Sequence, residues 1–196
     1  MAELRIGCLV MAAGSGSRFG RNKLEAVVDG KSLLRRSLEA VPAEEFAQVT
    51  VVTQYDAAAA LAEEFGFTVV RNDRPEDGLS RTVRLGTEAM AGCGAILYQV
   101  ADQPLLERDT VRRELEYFRT HPDHIVGLAH NGVRGNPCIF PRKFFPELMA
   151  LEGDVGGNVV IRAHPEELLL YETSAAELRD VDTVEALAAV QEDRQI

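Results

Sequence analysis

The sequence predicts a single α/β domain, a mostly parallel twisted sheet with helices on both faces. Short apolar or β-branched runs alternate with longer segments whose apolar residues recur at helical spacing. Those runs show little polar alternation, as strands buried on both faces require. The 196 residues are 46% hydrophobic and 27% charged, which suits one soluble core. No repeat, low-complexity stretch or linker divides the chain, so residues 1–196 are expected to form one domain.

The elements follow in order. "IGCLVMA" (6–12) is a buried strand that stops at Gly14. "KSLLRRSLEAV" places Leu33, Leu34, Leu38 and Val41 on one helical face and ends at Pro42. "QVTVVT" (48–53) is β-branched and reads as the second strand. "DAAAALAEEF" is an Ala-rich helix with Asp56 as its expected cap and Gly66 beyond its end. "FTVV" (67–70) is a third strand, "RNDRPEDG" a loop and "LSRTVRLGTEAMA" a helix. "AILYQVA" (95–101) is a fourth buried strand running into Asp102, and 107–120 reads as a helix. "HIVGLA" is a strand, "HNGVRGN" a turn-rich loop and "PCIF" a short strand. "PRKFFPELMAL" and "DVGGNVVIRAH" are short helices, "ELLLYE" a late strand and "DTVEALAAVQED" the closing helix.

Composition narrows the function. No apolar run reaches the roughly 18–20 residues that cross a bilayer. The N-terminus, with Glu3 and only a short apolar run, does not read as a signal peptide. Three widely spaced cysteines (Cys8, Cys93, Cys138) fit buried thiols in a reducing, cytoplasmic setting better than a disulfide framework or a zinc site. A net charge of −10 argues against general nucleic-acid binding. Yet six basic residues against two acidic ones lie between Arg18 and Arg36, a basic corner suited to a small anion. Within it, Arg35 and Arg36 read rather as a solvated helix face. The four histidines have no metal-ligand spacing and read as structural.

In an α/β sheet, ligands gather where strands end. Two loops lie there. The first, "AAGSGSRFGRNK", has small residues whose amides can face an anion, with Arg18 and Lys23 as full charges. A helix starting beyond it would add its dipole. The spacing is neither a P-loop nor G-x-G-x-x-G, which weakens NTPase and dehydrogenase readings, and a plain turn stays open. In the second loop, Asp102 either holds Mg²⁺ beside bound phosphates or caps the turn before the next helix. Asp182 with Glu185 fits a capping box whose first helical residue is Thr183, or Asp182 joins the metal site. Asp154 in "EGDVGG" and Arg134 and Asn136 in "GVRGNP" sit in Gly-rich connections that suit a polar ligand or a simple turn.

Taken together, six stretches resemble the nucleotidyltransferases that build molybdenum cofactor dinucleotides, above all the molybdenum cofactor cytidylyltransferases. They are "MAAGSGSRFGRNK", "EDGLSRTVRLG", "ADQPLL", "GVRGNP", "EGDVGG" and "RDVDTVEAL", in the family's order from Leu9 to Leu187. The resemblance implies a Rossmann-like nucleotidyltransferase fold. It also implies CTP and molybdopterin as substrates, Mg²⁺ as cofactor and a passing contact with the molybdoenzyme that receives the product. It places the nucleotide on Ala12, Ala13, Gly14, Ser15, Gly16, Ser17, Arg18, Lys23 and Ser80, with the base near Ser80. Asp102 and Asp182 would be metal ligands. Lys23, Arg18 and Asp102 would serve catalysis, and Arg134, Asn136 and Asp154 the acceptor side. Asn136 stands where the family often has His. A guanylyltransferase, a cytidylyltransferase for a sugar or polyol phosphate, and a non-catalytic cofactor-delivery module are the competing readings.

Overall fold

The computed structural model describes residues 4–14 and 22–193. Strands β1 (Ile6–Ala12), β2 (Val27–Val28), β3 (Lys31–Ser32), β4 (Gln48–Thr53), β5 (Thr68–Arg71), β6 (Ala95–Val100), β7 (Ile125–His130), β8 (Val133–Pro141) and β9 (Leu168–Glu172) alternate with seven α-helices. The helices are α1 (Leu33–Glu39), α2 (Asp56–Glu64), α3 (Leu79–Ala89), α4 (Arg108–Thr120), α5 (Phe145–Met149), α6 (Asn158–Ala163) and α7 (Val184–Asp193). Among the described residues the main sheet has seven strands in the order β5-β4-β1-β6-β8-β7-β9, and β2 and β3 form a separate small hairpin. Within the main sheet, pairing is parallel except where β8 meets β6 and β7.

The period-2 alternation of β1 explains the two covered faces. Ile6, Cys8, Val10 and Ala12 pack with Leu34 and Leu38 of α1, Ala58 and Ala62 of α2, and Val111, Leu115 and Phe118 of α4. Leu9 faces the other way, with Val83 of α3, Phe145 and Leu148 of α5, and Val160 and Ile161 of α6. A satellite core joins α7 to the small hairpin through Val190, Val181, Val28, Ala26 and Leu33. All three cysteines are buried and free.

Three expectations are corrected. The stretch read as a loop before "PCIF" is strand, because Asn131 (φ 50°) and Gly132 (φ 74°) make a two-residue hairpin turn between His130 and its partner Val133. An Asn-Gly pair between apolar runs was the signal for it. Asp56 does not cap α2; it is the first helical residue, Tyr55 holds the cap position without a side-chain bond, and Asp56 pairs with Arg71 at 2.7 Å. Arg36 is not solvated: its side chain is 11% exposed, donates to the Val28 carbonyl at 2.8 Å and pairs with Asp29 at 3.0 Å.

Glu114, on the core face of α4, is fully buried, and neither carboxylate oxygen has a hydrogen-bond partner among the described residues. Burial pushes its carboxyl well above the ordinary glutamate range, so it sits neutral in the core. The unfolded chain ionises at its ordinary value while the folded chain keeps the proton, so the unfolded state binds fewer protons and stability falls as pH rises above that value. Glu114→Met should therefore raise Tm at neutral pH. In thermal melts the gain over wild type should grow as pH rises above the ordinary glutamate value and lose this pH-dependent part below it.

Candidate active site

The topology brings the carboxyl ends of β1, β4, β6 and β7 to one edge, and β8 enters the sheet at that same edge. The tail after β9 returns there: the Val181 N–H donates to the Asp102 carbonyl at 2.9 Å, with Val181 itself buried. This sets Asp182 beside Asp102. The capping-box expectation for Asp182 is corrected, since the Ala186 N–H donates to the Thr183 hydroxyl at 3.1 Å and Thr183 takes the cap role. The Asp182 carboxylate turns instead to Lys23.

Lys23 opens a single 3-10 turn, Lys23–Glu25, capped by Asn22 and anchored by buried Leu24. Its ammonium donates to Asp102 Oδ2 at 2.5 Å and to Asp182 Oδ1 at 2.6 Å. Burial pulls the Lys23 pKa down, but the two carboxylates outweigh it and hold it above the ordinary lysine value. Asp102 Oδ1 is buried with no hydrogen-bond partner among the described residues. Asp180 completes the acidic group. Burial, then the charges of Asp102 and Asp182, push its carboxyl up to about 6 against the opposing hydrogen bond from Gln103 and the charge of Lys23.

Above this group lies a cleft of about 190 Å³ walled by Met11–Gly14, Lys23, Leu79, Thr82 and Asp102. The start of α3 forms one rim. Gly78 has φ +85°, and a Cβ there would lie 2.6 Å from the Gly153 carbonyl, so only glycine permits this approach. The Gly153 carbonyl accepts from the Ser80 N–H at 3.2 Å, and Asp154 Oδ1 accepts from the Leu79 N–H at 3.2 Å. Asp154 thus supplies α3 with a cap from a distant loop. Ser80 is fully buried under this rim, its hydroxyl without a partner among the described residues.

Beyond Asp102, Arg134 and Asn136 of β8 stand with Gln103, Asn158 and Asp180 around a wider cavity of about 540 Å³. Arg134 is held by the Gly135 carbonyl (3.0 Å), by Cys138 Sγ (3.2 Å) and by Asn158 Oδ1. Lys23, Asp102 and Asp182 therefore meet directly, Ala12, Ala13 and Gly14 line the same cleft, and Arg134 and Asn136 lie one cavity further on. Ser15, Gly16, Ser17 and Arg18 lie outside the described residues. No α-helix follows the described end of the glycine loop closely. Among the described residues the next after the Lys23–Glu25 turn is α1 at Leu33, and the loop residues 15–21, where a helix start was expected to add its dipole, lie outside them. The basic corner also disperses, since Lys31, Arg35 and Arg36 pair with Glu39, Glu64 and Asp29 away from the cleft. Sequence reasoning missed Asn158, Gln103 and Asp180. Asp180 sits two residues from Asp182 in "RDVD", whereas nothing local marks Asn158 or Gln103.

This architecture is that of a nucleotidyltransferase domain. The chain belongs to the family of the MobA-like NTP transferase domain, whose model matches residues 8–168. The 2-C-methyl-D-erythritol 4-phosphate cytidylyltransferase of Dehalococcoides mccartyi is 30% identical over 118 residues, 57% of this chain and 52% of that one. The bifunctional protein GlmU of Bifidobacterium animalis subsp. lactis is 30% identical over 130 residues, 62% of this chain and 28% of that one. The matches thus span about half or less of these curated relatives. The fold is shared with Rv0371c of Mycobacterium tuberculosis H37Rv, at TM-score 0.80, 22% identity, and coverage of 96% of this chain and 98% of that one. A complex of Rv0371c with manganese matches at TM-score 0.78, with the same identity and coverage.

Gly78→Ala should strain the left-handed backbone and push the Gly153 segment from α3, costing on the order of 1–3 kcal/mol. Chemical denaturation would show a lower midpoint, and a variant as stable as wild type would contradict the close approach.

Proposed function

We propose that the protein is a CTP:molybdopterin cytidylyltransferase, acting in the cytoplasm and using Mg²⁺. The observation that carries the reading is the Lys23–Asp102–Asp182 cluster at the mouth of the glycine-loop cleft. Its residues suit both halves of the task. Two aspartates, one with a buried oxygen that has no hydrogen-bond partner among the described residues, are a hard-oxygen donor set for a small divalent cation. Among the described residues no three His, Cys, Asp or Glu converge as a full metal cage. That agrees with Mg²⁺, which binds through one or two carboxylates and completes its shell with phosphate and water. Asp102 and Asp182 would hold it, and when bound it supplies charge neutralisation to the phosphates.

The reaction joins two anions. An oxygen of the acceptor's terminal phosphate attacks the α-phosphorus of CTP, a new P–O bond forms, and the bond to the β-phosphate breaks. Pyrophosphate leaves with that electron pair. The acceptor phosphate is already ionised at neutral pH, so no general base is required. Positioning and charge carry the rate. The Ala12–Gly14 backbone seats the triphosphate, with Ser15, Gly16, Ser17 and Arg18 assigned to the rest of its cradle. Lys23, released from the carboxylates, places its ammonium on the charge that builds on the leaving group. Ser80 and the Gly78 rim set the base end of the cleft. Arg134 offers charge to the acceptor, and the carboxamides of Asn136, Asn158 and Gln103 offer paired donors and acceptors that suit the edge of a heterocycle. Asp154 acts by fixing the start of α3. The wide, open acceptor cavity equally admits a polyol phosphate, and the Dehalococcoides relative, named for such an acceptor, makes that the second reading.

With Mg²⁺, CTP should raise Tm more than GTP or ATP. Pyrophosphate release from CTP should require molybdopterin rather than 2-C-methyl-D-erythritol 4-phosphate; the reverse acceptor preference would establish the second reading. Asp102→Asn should fold normally and lose metal-dependent turnover. Lys23→Ala should lose about 2–4 kcal/mol of transition-state stabilisation, read from kcat/KM.

A further inference from the structure

Where β1 runs out, three consecutive carbonyls are each held by one of three consecutive side chains from the end of β4. Thr53 Oγ1 donates to the Ala12 carbonyl at 2.9 Å. Gln54 Nε2 donates to the Ala13 carbonyl at 2.7 Å. The Tyr55 hydroxyl donates to the Gly14 carbonyl at 2.9 Å. Thr53 is already the strand partner of Ala12, and its hydroxyl also accepts the Tyr55 N–H at 3.1 Å, which fixes the side from which the next two reach across. The β1–β4 pairing is thereby continued by side chains past the point where the backbone ladder ends.

The consequence lies in peptide planarity. In a trans peptide the N–H points opposite to the C=O of the same unit. With the Ala12 and Ala13 carbonyls drawn towards β4, the N–H groups of Ala13 and Gly14 are turned away from it. That is the side of β6, where Val100, Ala101 and Asp102 wall the cleft together with Ala12, Ala13 and Gly14. Amides aimed this way suit an anion, and holding them before the ligand arrives lowers the ordering cost of binding. Without such donors nothing in an Ala-Ala-Gly backbone selects that orientation.

We propose that Gln54 and Tyr55 are positioning residues for the triphosphate: they hold the entry of the glycine loop with its amides facing the cleft, and touch no substrate themselves. The assignment rests on the nucleotidyltransferase reading above. It predicts a defect confined to phosphate binding. A hydrogen bond of ordinary net strength converts to a factor of about 3–10 in affinity. Gln54→Met and Tyr55→Phe should each weaken Mg²⁺-dependent binding of CTP about 3–10-fold by calorimetry. The double variant should weaken it by tens-fold, and inorganic pyrophosphate by the same factor.

The KM for CTP should rise with kcat little changed, and Tm should stay close to wild type, neither of which a general packing defect would produce. Unchanged CTP and pyrophosphate affinity in the double variant overturns the inference while wild-type binding leaves the nucleotidyltransferase reading standing. Wild type that binds no nucleoside triphosphate overturns both. Should Gln54→Met fail to fold, Tyr55→Phe alone decides: removal of one hydroxyl either weakens both ligands alike or refutes the role.

Discussion

The clasp of Lys23 by Asp102 and Asp182 is the interaction around which the carboxyl-end edge of the sheet is organised. It joins a turn near the start of the chain, the loop after a central strand and the tail before the last helix. Two carboxylates held this close repel each other, and a cation between them offsets that repulsion. In the described structure that cation is the protein's own ammonium.

Around the clasp, backbone constraints do the placing. The Val181 N–H bond to the Asp102 carbonyl fixes the tail's register on the β6 loop, so Asp182 arrives opposite Lys23 rather than in solvent. The Thr183 hydroxyl takes over helix capping and frees the Asp182 carboxylate from that task. On the other rim, the approach of Gly78 to Gly153 joins two loops that are 75 residues apart at the Leu79–Asp154 bond. The antiparallel strand β8 then carries Arg134 and Asn136 to the edge where the parallel strands end, which sets a second cavity beside the cleft.

Much of this was legible in the residues. Continuous apolar runs marked the buried strands, and 3.6-residue spacing marked α1 and α3, because burial on a given face imposes those periods. Asp102 stood out as a carboxylate at the end of a buried strand, and Lys23 as a charge closing a glycine loop. Less legible were groups whose role comes from a partner far along the chain. Asp154 looks like any turn aspartate until Leu79 is beside it, Arg36 like any surface arginine until Val28 and Asp29 enclose it, and Glu114 like part of a polar helix face until that face meets the sheet.

By itself the sequence determined the α/β class, the main strands, the helices they alternate with and the chemical kinds gathered at the site: small residues, an ammonium and scattered carboxylates. Those follow from local period, side-chain size and charge, which are properties of neighbouring residues. Only the tertiary structure decided that Lys23 lies between Asp102 and Asp182, that Thr183 rather than Asp182 caps the last helix, and that Gln54 and Tyr55 hold the carbonyls of Ala13 and Gly14. These are distances between segments remote in the chain, set by strand order and register, and no local pattern encodes them.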